Sequence, residues 1–370
     1  MITGMPGGPL EGICVAAAGG CADNRPHSIC ARHRSRGIGS CARLMSRATM
    51  SDYVRQPVWY PISVAFIDDS SDFLYALKGI FPDTRTNHFF SSPAEALDFV
   101  MRNGYPAAAA RMAESECGEI ERGYVNAIGP DVMEDETRFE TVATIIVDHD
   151  MPNLTGIEFL SRLDNVACTR ILLTGAAGDT QAVKAFNAGL IDYYLRKSEP
   201  NLGKKLRALL DEARRSHCMK RGRIGVHRIG AVYCKPEVMA VLDSVVSRER
   251  IVEYYWRPEQ NAVLTFDADG EPGVFLAWDE NDWSFQCEVV RDERGPADLE
   301  QDIQARRFIP VFWPDQTYRS GSRPAHRAPL HVVPGLPDVS YTWVRLDRSE
   351  LEWQPLTFAE WSESGQLRSK

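Results

Sequence analysis

No stretch of this sequence stays apolar for the ~20 residues that a helical membrane span requires, so a membrane-crossing helix is not expected. A cysteine framework is missing too. The nine cysteines are an odd number, scattered without disulfide spacing, and are read as reduced thiols of a cytoplasmic protein. Positive charge is not in excess. The formal net charge is −9, which argues against general affinity for nucleic acid. The C-terminal part has no Gly-rich phosphate loop, no paired metal ligands, no nucleophile elbow and no helix-turn-helix pattern. What remains is ordinary globular composition, 44% hydrophobic and 25% charged over 370 residues, a length that suggests two domains.

One stretch organises the rest. Thr144 to Gly156 reads as a buried strand that runs into an acidic tip and then a turn. Ile145, Ile146 and Val147 are the β-branched run of a strand covered on both faces. Asp148 and Asp150 follow at its carboxyl end, which in open α/β sheets is where ligands bind. Met151-Pro152 and the turn to Gly156 lead into a helix with apolar Ile157, Leu160 and Leu163. Three other apolar runs end in polar residues: Ile62–Ile67 in Asp68-Asp69, Arg170–Leu173 in Thr174-Gly175, and Ile191–Arg196 in Lys197-Ser198. A parallel sheet would bring these ends together as carboxylates, one hydroxyl and one ammonium. Packed carboxylates repel, and a hard divalent cation makes such a cluster tolerable. The set suits aspartyl phosphate chemistry, in which positioning and charge stabilisation do the catalysis.

An acidic pair after the first strand, Asp-x-x-Met-Pro-x-x-x-Gly after the third, Thr after the fourth and Lys after the fifth resemble the receiver domain of two-component response regulators. The resemblance covers roughly residues 60–217. It implies a doubly wound five-stranded parallel sheet with helices on both faces. By match, Asp148 is the phosphoacceptor. Asp68 and Asp69 help to hold Mg²⁺ with Asp148 and the backbone carbonyl of Asp150. Thr174 is the switch hydroxyl, Lys197 the phosphate-binding lysine, and Tyr194 the aromatic that changes rotamer on activation. A cognate histidine kinase is the implied partner and a phosphorelay the implied setting. The family usually has Pro after the lysine, often with a cis peptide bond; here it is Ser198.

The chain then divides as follows. Residues 1–56 lack apolar periodicity and read as a disordered tail, or as sequence upstream of a true start at Met50. A metal site from Cys14, Cys21, Cys30, His33 and Cys41 is set aside, because their gaps are irregular and contain no Cys-x-x-Cys knuckle. The receiver domain is expected over 57–217, with an insert at about 103–140. Arg111 to Val125 of that insert has helical composition. It reads equally as a docking or dimer-forming arm and as a tolerated excursion. Residues 218–235 are expected as a linker, with His217 to Arg228 a solvated basic hinge. A smaller α+β output domain of unrecognised type follows over 236–358, then a tail at 359–370. In it, a helix is expected from Pro236 to about Tyr254. A hairpin turns at Asp267–Glu271, and Trp283–Val289 alternates like a half-buried strand.

The function expected is that of a response regulator whose C-terminal domain does not bind DNA and carries no recognised catalytic centre. A homodimer or a separate protein target would then be its output. Two alternatives stand beside it: a DNA-binding regulator of the same relay, and a haloacid-dehalogenase-type phosphatase with Asp148 as nucleophile and Asp150 as general acid.

Overall fold

Five short apolar runs, each followed by an amphipathic helix or a long excursion, are the recipe for a parallel sheet with crossovers. The computed structural model describes residues 54–82, 85–107, 127–175, 179–226 and 229–368. Cys14, Cys21, Cys30, His33, Cys41, Met50 and the helix expected over residues 111–125 lie outside the described residues. The first half runs β1 (Val54–Arg55), β2 (Val58–Trp59), β3 (Ser63–Ile67), α1 (Ser71–Ile80), β4 (Asn87–Phe90) and α2 (Pro93–Asn103). It continues through β5 (Ala127–Ile128), β6 (Val142–Asp148), α3 (Gly156–Ser161), β7 (Thr169–Thr174), α4 (Asp179–Asn187), β8 (Tyr193–Arg196) and α5 (Leu202–Arg221).

Strands β4-β3-β6-β7-β8 form one parallel sheet in that order. The period-two rule of a strand sorts its side chains. Ala65, Ile67, Ile145, Val147 and Leu172 face α2, α3 and α4. Val64, Phe66, Ile146, Ile171 and Leu173 face α1 and α5. Helices therefore cover both faces, as the motif resemblance implies. Both of the first two helices start on a serine cap. Ser70 caps α1, and Ser92 caps α2 with Pro93 at the first helical position.

The second half runs β9 (Ile224–Gly225), α6 (Pro236–Arg248), β10 (Ile251–Arg257), β11 (Ala262–Asp267), β12 (Pro272–Trp278), α7 (Glu280–Asp292) and α8 (Ala297–Gln304). Then come β13 (Ile309–Val311), β14 (His326–Ala328), β15 (His331–Val333), β16 (Leu336–Arg345) and α9 (Phe358–Arg368). An antiparallel six-stranded sheet has the order β15-β16-β12-β11-β10-β2. Helix α6 packs Val238, Val241, Leu242 and Val245 on one face of it, and α7 and α8 pack on the other.

Several expectations are corrected. Trp283–Val289 is part of helix α7, not a strand. Asp279 and Asp282 form a capping box at its start, and Trp283, Gln286 and Val290 are the buried positions. The helix from Pro236 stops at Arg248, and the β-branched and aromatic run Ile251–Arg257 is strand β10. The 359–370 tail is largely helix α9, with Trp361 buried. The expected solvated hinge is mostly the end of α5 and a buried strand. Cys218, Arg221, Ile224 and Val226 are all buried. The acidic hairpin turn is a plain turn, its Asp267 carboxylate accepting the Asp269 and Glu271 N–H groups.

The two sheets share a core. Strand β2 pairs with β10, while Tyr60, Ile62, Phe139, Ala143 and Cys218 pack into the same cluster as Leu264, Phe266 and Leu276. A three-stranded sheet, β1-β9-β5, joins the chain before the receiver sheet, the end of the insert and the chain after α5. Beside it a polar network is sealed from water. Arg138 donates to the Tyr255 hydroxyl at 2.8 Å and to the carbonyls of Met133 and Asp135, and it contacts the Leu356 carbonyl. Its guanidinium is 3.5 Å from Glu253, which accepts from Tyr255 Oη and the Phe358 N–H at 2.6 Å each. Burial pushes the Glu253 carboxyl up, and Arg138 opposes that. The Tyr60 hydroxyl lies 3.1 Å from His217 Nε2. Burial, with Arg221 and Lys220 nearby, pushes that imidazole down to about 3, so it is neutral at physiological pH. The described end of the insert, Ala127 to Glu140, thus belongs to an internal joint.

Candidate functional site

The sheet order reverses direction between β3 and its neighbours β4 and β6, and this reversal opens a crevice at the carboxyl ends of the strands. Four strand ends converge there. β3 delivers Asp68 and Asp69, β6 ends on Asp148, β7 ends on Thr174, and Lys197 follows β8. One carboxylate oxygen from each of Asp68, Asp69 and Asp148 lies within 4.8 Å of the other two. Asp68 and Asp148 are buried and Asp69 is exposed. Lys197 Nζ reaches between the buried pair, 2.7 Å from Asp68 Oδ2 and 2.9 Å from Asp148 Oδ1.

Burial pushes the Asp68 carboxyl up, and the Asp148 charge adds to this. The Lys197 contact and the Ser70 N–H oppose it. For Lys197, burial pulls the ammonium down, but its hydrogen bonds to Asp68 and Asp148 outweigh that and hold it up. One cation thus faces three carboxylates. The all-oxygen donor set and its surplus negative charge fit a hard divalent cation.

Thr174 is fully buried, and its hydroxyl has no hydrogen-bond partner. Its carbonyl accepts the Lys197 N–H at 2.8 Å, the last rung that fixes the Lys197 backbone. The only cis peptide bond among the described residues is Trp313–Pro314, so the Lys197–Ser198 bond is trans. Tyr194 sits on β8 with its ring partly exposed, 6.5 Å edge-on from exposed Phe186 of α4.

Asp150 is not part of the carboxylate cluster. Its side chain is 64% exposed, and its carboxylate lies 3.8 Å from the His149 ring. The turn after β6 explains this. His149 N–H donates to the Leu173 carbonyl, Gly156 N–H returns to the His149 carbonyl, and Asn153 takes a left-handed φ of 66°. Thr155 and Glu158 then cap α3 reciprocally.

Gly156 is required by contact. A Cβ there would stand 2.2 Å from the Asp148 carbonyl oxygen and 3.0 Å from Leu172 Cδ1. Gly156→Ala is therefore expected to push the α3 start off the end of β6 and cost about 1–3 kcal/mol, as overpacking does. Urea denaturation measures it, and an unchanged midpoint would show that the turn has slack.

Two residues of the site carried no motif signal. Ser70 N–H donates to Asp68 Oδ1 at 3.0 Å, which fixes that carboxylate's second oxygen. Phe73 presents its ring 4.7 Å from Lys197 Nζ. Ser70 was legible only as a residue that can cap a helix.

No protein-family model matches the chain, and no curated protein matches it. Among solved structures, the Legionella pneumophila response regulator LqsR superposes with a TM-score of 0.59 at 21% identity, over 83% of this chain and 95% of that one. A response regulator receiver domain protein from Clostridium thermocellum covers 42% of this chain and 96% of its own, at 21% identity and a TM-score of 0.27. The first likeness shows the fold: a receiver-type sheet continued by a C-terminal α+β region. A fold does not settle a function.

Proposed function

We propose that this chain is a response regulator of a two-component phosphorelay, in which Asp148 accepts a phosphoryl group from the phosphohistidine of a partner kinase. The observation that carries this reading is the convergence of Asp68, Asp69, Asp148 and Lys197 with the unpartnered, buried Thr174 hydroxyl. An Asp148 carboxylate oxygen attacks phosphorus as the phosphorus–nitrogen bond breaks, and the electron pair returns to the imidazole of the kinase. Asp68, Asp69 and Asp148, with the Asp150 backbone carbonyl, would hold Mg²⁺, which supplies charge neutralisation for the phosphoryl oxygens. Lys197 holds another of those oxygens as an ammonium. Thr174 donates its free O–H to the third, which gives a buried polar group its missing partner.

That new bond draws Thr174 toward the phosphoryl group and leaves room for Tyr194 to turn inward from its exposed position. The face made by α4, β8 and α5 then changes its packing. Helix α5 carries the change onward, because Leu206 packs on the receiver sheet while Cys218 lies in the core shared with the antiparallel sheet. The output is read by the C-terminal region or by a protein bound to it, in the cytoplasm. The phosphatase alternative finds less support, because Asp150, its general acid, is exposed and lies outside the carboxylate cluster that holds Asp148.

The test is incubation with acetyl phosphate, with and without Mg²⁺, followed by intact mass. Expected is the gain of one phosphoryl group only when Mg²⁺ is present. No gain with Mg²⁺, at protein shown to be folded, would overturn the proposal.

A further inference from the structure

The pocket has one element outside the carboxylate, hydroxyl and lysine set. From the placement of Phe73 we infer that it is a positioning residue for the Lys197 ammonium, an inference that rests on the aspartyl-phosphate reading above. Lys197 comes after the last rung of β8, followed by Ser198 and a loop, and its side chain is a flexible four-carbon stem. Asp68 and Asp148 fix Nζ from two directions. The Phe73 ring, 4.7 Å from Nζ, supplies a third.

The placement of that ring is linked to the site itself. Asp68 Oδ1 accepts the Ser70 N–H at 3.0 Å, and the Ser70 hydroxyl accepts the Phe73 N–H at 3.3 Å. One carboxylate therefore orients both the lysine, through Oδ2, and the first turn of α1 that carries Phe73. The ring is half-buried against the apolar cluster of Leu74, Leu77 and Phe66, so it does not swing freely.

The choice of an aromatic group has a physical reason. A ring face attracts a cation through its quadrupole without adding a formal negative charge. A fourth carboxylate here would add negative charge to a pocket that already holds three. When a phosphoryl oxygen arrives, Nζ exchanges a carboxylate contact for it. The ring keeps the ammonium at the pocket mouth during that exchange. Phe73 touches no reacting atom and acts through Lys197.

The test has two readouts on the full chain. The first is the initial rate of phosphorylation by acetyl phosphate with Mg²⁺. Phe73→Leu is expected to slow it about fivefold, the worth of one partly desolvated cation–π contact, and Phe73→Tyr to restore it. The second is the ring-current shift of the Lys197 ε-methylene protons by NMR, expected in the native chain and in Phe73→Tyr and absent in Phe73→Leu. A native rate in Phe73→Leu, or a native chain without the shift, overturns the assignment. A native chain that shows the shift but takes no phosphoryl group overturns the response-regulator reading instead. If Phe73→Leu and Phe73→Tyr are slowed equally while both stay folded, the ring's role is packing alone and the assignment also fails.

Discussion

Asp148→Asn is expected to take up no phosphoryl group from acetyl phosphate with Mg²⁺, while keeping its fold. The amide nitrogen is not a nucleophile at neutral pH, and the amide oxygen can still accept from Lys197 where Asp148 Oδ1 does now, at 2.9 Å. The substitution also removes one of three crowded carboxylates, and with it a cause of the raised Asp68. Its thermal midpoint is therefore expected to equal or exceed the native one, since like charges in a shared site destabilise it. Intact mass and thermal denaturation check the two halves of the statement separately. A phosphoryl group that persists in Asp148→Asn would move the acceptor elsewhere. A collapsed midpoint would mean that the carboxylate is needed for the fold itself.

Arg138→Met should be the most damaging single change at the joint between the sheets. Arg138 and Glu253 are 1% and 0% exposed. Removing one member of such a pair leaves the other charged in an apolar setting, which costs about 3–5 kcal/mol. The effect has a pH signature. Burial raises the Glu253 carboxyl already, and without Arg138 it rises further. A group raised in the folded state contributes stability below its unfolded value, and that contribution is lost as pH rises through the folded one. The deficit of Arg138→Met is thus largest in mildly alkaline buffer and shrinks on acidification, when Glu253 takes a proton. Glu253→Gln added to Arg138→Met should recover part of the loss. Urea unfolding at two pH values measures all of this. A native midpoint in Arg138→Met, or a deficit that grows on acidification, would contradict it.

The receiver sheet was legible because its central strands β3 and β6 are short apolar runs buried on both faces. Ile145-Ile146-Val147 can hardly be anything else, and its Asp148 terminus points to chemistry. The pocket was legible for the same reason, since parallel strands must deliver their ends to one side. Elsewhere the local pattern misled. Trp283, Phe285, Cys287 and Val289 alternate, but Phe285 is exposed and the buried positions are Trp283, Gln286 and Val290, the spacing of a helix. The better signal was Asp279 with Asp282, a capping box. In Ile251–Arg257 the aromatic and β-branched residues favour strand, and Arg250, at φ 57°, makes the break after α6.

The joint was hidden for another reason. Arg138 and Glu253 are residue types that normally face water, and only partners far along the chain make their burial tolerable. Tyr255 is 117 positions from Arg138. No window of sequence contains both. Phe73 is a similar case, since an apolar residue in the first turn of an amphipathic helix reads as core, and only the folded loop after β8 brings an ammonium over it.

The small sheet β1-β9-β5 bears on inheritance as well as on form. Receivers are often thought of as cassettes, spliced by a cut after their last helix. Here a cut at the expected boundary, residue 217, falls inside α5 and discards Cys218, Arg221 and the β9 strand that holds both β1 and β5 in register. A cut between the two sheets would expose part of the core that they share. The two sheets of the described region therefore have to be gained, lost and altered together.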